Sequence, residues 1–111
     1  SPLMASAQPK LQAELEKVNL TVSTVPVISN VNALPHGAPS RISAQLVEQV
    51  CASVRWEESM RVLLSQGFTR FIELGPGTAL SGFMKRIDKT ATMLNVADAA
   101  SLEATVKALS V

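Results

Sequence analysis

The segment Arg70-Phe71-Ile72-Glu73-Leu74-Gly75-Pro76-Gly77-Thr78-Ala79-Leu80 is the part of the chain best suited to chemistry, because an apolar run there meets a Gly-Pro-Gly turn. Phe71, Ile72 and Leu74 suit a buried strand. Gly75 and Gly77 reach backbone angles closed to other residues, and Pro76 holds its own φ between them. The amphipathic stretch that follows makes this a sharp strand–turn–helix junction, where α/β folds place ligands and catalytic groups. Other candidates are few. His36, the only histidine, shares a loop with Pro35, Gly37 and Pro39 and reads as a solvated loop residue. Cys51, the only cysteine, has no cationic cluster near it and reads as a small buried hydrophobe. Glu57, Glu58 and Asp88 read as surface charge, with no pair of them placed for general acid–base work. Trp56 and Met60 stand one helical turn apart and read as core. Gln49 is a polar position on a helix, and Lys85 and Arg86 suit a helix end, where the dipole favours cations.

The elements that must position these residues follow from periodicity. Ser6 can cap a helix with Pro9 in its first turn and Leu11, Leu15 and Val18 on one face. Val25-Pro26-Val27-Ile28-Ser29-Asn30-Val31 reads as a strand, with Pro26 at its start or on an edge. Asn32 to Pro39 is a loop. Ile42, Leu46, Val47 and Val50 predict a helix after a Ser40 cap, and Trp56, Met60, Leu63 and Leu64 predict another stopped by Gly67. The strand ending at Gly75 comes next, then a helix with Leu80, Phe83, Met84 and Ile87, then a strand over Thr92-Met93-Leu94-Asn95-Val96. Asp98 or Ser101 caps a last helix through Leu102, Val106 and Leu109. The order α-β-α-α-β-α-β-α predicts a parallel sheet with helices on its faces. Three strands are few for such a sheet, so the expectation is part of a larger α/β domain with strands upstream of Ser1.

Composition narrows the class. The 111 residues are 47% hydrophobic, the content of one globular domain. A net charge of +1 without blocks of like charge argues against a nucleic-acid stripe or a membrane-surface helix. No apolar stretch nears the ~20 residues of a membrane span, and none reads as a secretion leader. One cysteine allows no internal disulfide and no cysteine-based metal cluster, which fits a reducing compartment. The chain opens Ser1-Pro2-Leu3-Met4, as an excised piece would.

Several blocks then line up in order: Ser1-Pro2-Leu3-Met4, Val25 to Val31, Leu46-Val47-Glu48-Gln49-Val50, Val54-Arg55-Trp56, Glu73-Leu74-Gly75-Pro76-Gly77 and Leu80-Ser81-Gly82-Phe83-Met84-Lys85-Arg86-Ile87. Together they resemble the C-terminal third of the malonyl-CoA:acyl carrier protein transacylases, the acyltransferases of type II fatty acid synthesis. The resemblance implies that residues 1–111 are a three-layer parallel-sheet fragment of an α/β-hydrolase-like large subdomain. It implies a ping-pong transfer in which a serine on a Gly-x-Ser-x-Gly elbow takes malonyl from coenzyme A. A histidine is the base, backbone amides hold the oxyanion, and an arginine holds the malonyl carboxylate. The acceptor is the phosphopantetheine thiol of acyl carrier protein. The family's histidine would stand just ahead of Ser1, so nucleophile and base both lie upstream and the 111 residues alone are expected to be inactive. Two roles fall inside the chain. Gln49 matches the glutamine whose backbone carbonyl orients the histidine, and Lys85 and Arg86 match the basic pair associated with docking the acidic carrier protein.

The partners so implied are acyl carrier protein, malonyl-CoA as substrate and the N-terminal part of the same protein, with no cofactor, metal, nucleic acid or membrane. The cytoplasm is the expected home, with a plastid or mitochondrion as alternatives. Thr78 replaces the family's usual lysine, and Ser53 stands where proline is usual. A competing resemblance is to S-adenosylmethionine methyltransferases, whose first motif also runs a strand into a glycine-rich loop, here Gly75-Pro76-Gly77, with Asp98 as a ribose-holding acid. Against it, Ala79 takes the place of that motif's third glycine. A non-enzymatic assembly piece is the third possibility.

Overall fold

A computed structural model describes residues 2–110. After a short 3-10 turn at Pro2–Met4 come helices α1 (Ala7–Glu16), α2 (Pro39–Gln49) and α3 (Trp56–Ser65). Strand β1 (Arg70–Leu74), helix α4 (Ala79–Ile87), strand β2 (Thr92–Val96) and helix α5 (Ala99–Leu109) complete the order. The chain divides after Val62 into two compact units.

In the first unit, Gln8 of α1 donates its side-chain amide to the Val47 carbonyl of α2 at 3.0 Å, tying the two helices together. Two expected caps are replaced. Ser6 is itself helical and makes no side-chain cap bond, and α2 starts at Pro39 after Ala38, with Ser40 already inside the first turn. Proline suits that first position because its missing N–H would have had no helical partner. The expected strand over Val25–Val31 does not form. Among the described residues its only ladder is an isolated antiparallel bridge between Ile28 and Pro35, made by Ser29 N–H to Leu34 O and His36 N–H to Val27 O, both 2.8 Å. The physical reason is the lack of a strand partner: Pro26 and Pro35 have no N–H to donate, and besides the returning loop the segment's backbone meets only the Arg55 N–H, on the Asn30 carbonyl at 2.9 Å, among the described residues. Ala33 closes that loop with a left-handed φ of 57°, buried at 3% exposure, and Ser29 beneath it is 1% exposed. Met60 of α3 is also buried, and Trp56 is half-buried, in keeping with their reading as core.

In the second unit, Gly67 ends α3 with φ 92° and its N–H on the Leu64 carbonyl, as its place after the apolar stripe predicts. Strands β1 and β2 pair in parallel from Arg70↔Thr92 to Leu74↔Val96, with α4 as the crossover. Among the described residues the sheet therefore has two strands, not three. Helices α4 and α5 both pack on β2, and Met84 of α4 is buried at 1% exposure. Asp98 and Ser101 together form a capping box at the start of α5: Asp98 accepts from Ser101 N–H while the Ser101 hydroxyl serves the Asp98 N–H. Thr105 then donates its hydroxyl to the Asn95 carbonyl of β2 at 2.9 Å.

The apolar core is small. Among the described residues Ala33, Met60 and Met84 are buried, whereas sixteen large apolar side chains are exposed, among them Ile72 at 43% and Leu74 at 76% on β1. Among the described residues β1 pairs only with β2, so its outer edge offers unpaired N–H and C=O groups beside exposed apolar side chains. The isolated 111-residue chain should therefore self-associate at micromolar concentration and bind an apolar dye. Light scattering with a thermal melt checks this; a soluble monomer that melts sharply would contradict it.

Candidate functional site

The Gly-Pro-Gly junction takes the shape its residues demand. Gly75 has φ 123° and Gly77 φ 81°, while a Cβ added at either would meet nothing within 4 Å. Glycine is therefore required by the backbone angle and not by crowding. Gly75 N–H extends the ladder to the Val96 carbonyl at 2.9 Å before the chain turns. The turn brings α4 back over the end of its own strand, and Glu73 meets it. The Glu73 carboxylate accepts from Ser81 N–H at 2.9 Å, from the Ser81 hydroxyl at 2.7 Å and from Leu80 N–H at 3.3 Å. Thr78, the N-cap by position, makes no side-chain cap bond, so a strand residue caps the helix instead. The Ser81 hydroxyl, then the backbone N–H groups, hold the Glu73 carboxyl below its ordinary range. Sequence reading assigned Glu73 no role; its signal was an acid before a Gly-Pro-Gly turn, with a serine in the second turn's reach.

This arrangement changes what the junction can do. Two of the first N–H groups of α4, those of Leu80 and Ser81, which could otherwise serve an anion, already serve a carboxylate of the same chain. Asp98 is likewise engaged in its capping box, and the hydrogen bonds from Ser101 N–H and hydroxyl lower its pKa. Asp88 accepts from Thr90 hydroxyl and N–H and closes the turn after α4. Lys85 and Arg86 occupy the last turn of α4, both exposed, where the helix carbonyls favour positive charge. Neither forms a salt bridge among the described residues; Glu57 and Glu58 instead pair with Arg61 and Arg55 on the surface of α3.

Gln49 ends α2 in the other unit. Beyond it the N–H groups of Val50, Cys51 and Ala52 bond to the carbonyls of Val47 and Glu48, at 3.3, 3.2 and 3.2 Å. Among the described residues no backbone N–H takes the Gln49 carbonyl, which leaves it at the frayed end of the helix. One turn earlier Gln45 is buried, and its Oε1 lies 2.7 Å from His36 Nδ1. His36 is thus half-buried and hydrogen-bonded, not the solvated loop residue its Pro/Gly surroundings predicted: the buried amide of Gln45 needs a partner, and the loop supplies one. His36 lines an apolar cleft of about 240 Å³ with Val22, Pro26, Val27, Ile42 and Leu46. Ser23, the hydroxyl in that cleft, donates to the Val25 carbonyl, so no nucleophile–base pair forms there. Cys51 is half-buried. The described residues hold no group of three or more His, Cys, Asp and Glu side chains that could bind a metal ion. None of the described helices is long and apolar enough to cross a membrane.

Comparison with known proteins gives this geometry a family. The chain is 38% identical over 109 residues to the malonyl CoA-acyl carrier protein transacylase of Bacillus subtilis, covering 98% of this chain and 34% of that relative. It matches the crystal structure of acyl-carrier-protein-S-malonyltransferase from Bartonella henselae at a TM-score of 0.89 and 37% identity, covering 100% of this chain and 35% of that one. The chain is homologous to the malonyl CoA-acyl carrier protein transacylases. A third match, at TM-score 0.86 and 34% identity over 96% of this chain and 34% of the other, is a malonyl-transacylase in complex with a type II polyketide synthase acyl-carrier protein. The chain spans about a third of the length of these transacylase relatives. No protein-family model matches it.

The Glu73 contact carries a pH test. A carboxyl held below its ordinary range stabilises the fold fully above that range, near 4.5, and loses this contribution as pH falls through its folded-state value. Glu73→Gln should lower the melting temperature at pH 7, and the gap to the parent chain should close towards pH 3. Parallel melts across that interval check the sign; a gap that stays constant would remove the carboxylate from the account.

Proposed function

We propose that residues 1–111 are the C-terminal part of the large subdomain of a malonyl-CoA:acyl carrier protein transacylase. The observation that carries this is a match along nearly the whole chain, at 38% identity to one transacylase and TM-score 0.89 to another. The complete protein moves malonyl from coenzyme A to the phosphopantetheine thiol of acyl carrier protein through a seryl ester, in fatty acid or polyketide synthesis. It works in the cytoplasm and needs neither metal nor cofactor.

Within that reaction this chain supplies support. The Gln49 carbonyl accepts the N–H of the catalytic histidine and fixes the tautomer whose other nitrogen takes the serine proton, the place a carboxylate fills in other triads. Its position outside the helical ladder of α2 favours this role, since a carbonyl already bonded at the helix end would be a poorer acceptor. Lys85 and Arg86 attract and seat the acidic carrier protein. The chain has no Gly-x-Ser-x-Gly elbow of its own. The capping bonds of Asp98 and of the Leu80 and Ser81 N–H groups weigh against the methyltransferase reading.

Rigorously pure 111-residue chain should transfer no malonyl to carrier protein, and mixing with a piece carrying the upstream serine and histidine should restore transfer. Activity in the chain alone, or tight S-adenosylmethionine binding, would overturn the proposal. In the transfer-competent protein Gln49→Ala should keep most of kcat, because the carbonyl remains. Val50→Pro should cost about a hundredfold in kcat, because a following proline turns residue 49 out of the helical region and moves that carbonyl. Equal losses in two equally stable variants would reject a main-chain role.

A further inference from the structure

We propose that Phe83 is the apolar anchor of the carrier-docking surface and holds Arg86 in the orientation that receives an acidic partner. The inference rests on the docking role of Lys85 and Arg86 given above. Phe83 is 46% exposed while its neighbour Met84 is 1% exposed, so α4 turns a phenyl ring outward beside the face it packs. Ala79, exposed and small, stands one turn before Phe83 on the same side of the helix. The Arg86 guanidinium carbon lies 5.9 Å from the ring centroid. With no carboxylate paired to Arg86 among the described residues, the ring is what restrains its charge.

A guanidinium resting over a ring keeps its in-plane N–H groups free for a carboxylate and has already lost part of its rotamer freedom. The complementary partner is a helix presenting one apolar side chain to the Phe83 ring, with Asp or Glu one turn away for Arg86 and Lys85. An acidic carrier protein has that chemistry. Glu73 fixes the opposite end of α4, so the surface stands on a braced helix.

The test compares two acceptors in the transfer-competent protein: acyl carrier protein, and free pantetheine, which has no docking surface. Phe83→Ala should lower the ratio of kcat/KM for the carrier to kcat/KM for pantetheine by about two- to fivefold. Phe83→Trp should restore the ratio, and Phe83→Leu, which keeps apolar contact without the ring face, should fall between. If Phe83→Ala depresses both acceptors together, with a lower melting temperature and an unchanged ratio, Phe83 is packing and the inference fails. If Lys85→Ala and Arg86→Ala lower the ratio and Phe83→Ala does not, only the Phe83 assignment falls. If neither basic variant moves the ratio, the docking role itself is wrong.

Discussion

The second unit depends on one contact, the carboxylate of Glu73 against the start of α4. A strand side chain can cap the helix that follows only if the chain reverses within a few residues, and Gly75 and Gly77 permit this by taking positive φ. The contact braces the start of α4, the helix that buries Met84 and crosses over between the parallel strands β1 and β2. It also places a negative charge at the helix N-terminus while Lys85 and Arg86 place positive charge at the other end, so both complement the backbone dipole. The same contact that braces the helix occupies two of the amides, Leu80 and Ser81, that an anionic ligand could take. A junction that looks like a binding turn in sequence is therefore also a structural brace.

The first unit relies on backbone and amide chemistry in a different way. His36 and Gln45 satisfy each other across the loop and α2, which anchors the helix one turn before Gln49. The Gln8 amide on the Val47 carbonyl holds the same stretch from the α1 side. Such a frame suits a role played by a main-chain carbonyl, whose placement depends on where a helix stops and not on a side chain. It also explains why the one histidine, the obvious catalytic candidate by residue type, is an anchor.

Across the described residues buried polar groups, Ser29, Gln45, Ser59, Ser81 and Thr105, outnumber buried apolar ones. Each has a hydrogen-bond partner: Ser59 on the Arg55 carbonyl, Thr105 on Asn95, Ser81 on Glu73. Order in this chain therefore owes much to satisfied polar contacts, while large apolar side chains on β1 and α5 face outward.

The sequence by itself determined the elements that local rules control. The strand–turn–helix junction, Gly67 as a stop, the Asp98–Ser101 cap and β2 were all legible, because glycine angles and local capping bonds act within a few residues of one another. Tertiary structure decided what depended on partners distant in sequence. Val25–Val31 has strand composition yet finds no strand beside it, so composition alone misjudged it. His36 was misread because burial comes from Gln45 on another element. Glu73 went unnoticed because its function as a cap exists only once the turn has folded α4 back onto β1. Arg86 over Phe83 follows helical spacing, but that the ring faces solvent is a fact of packing alone.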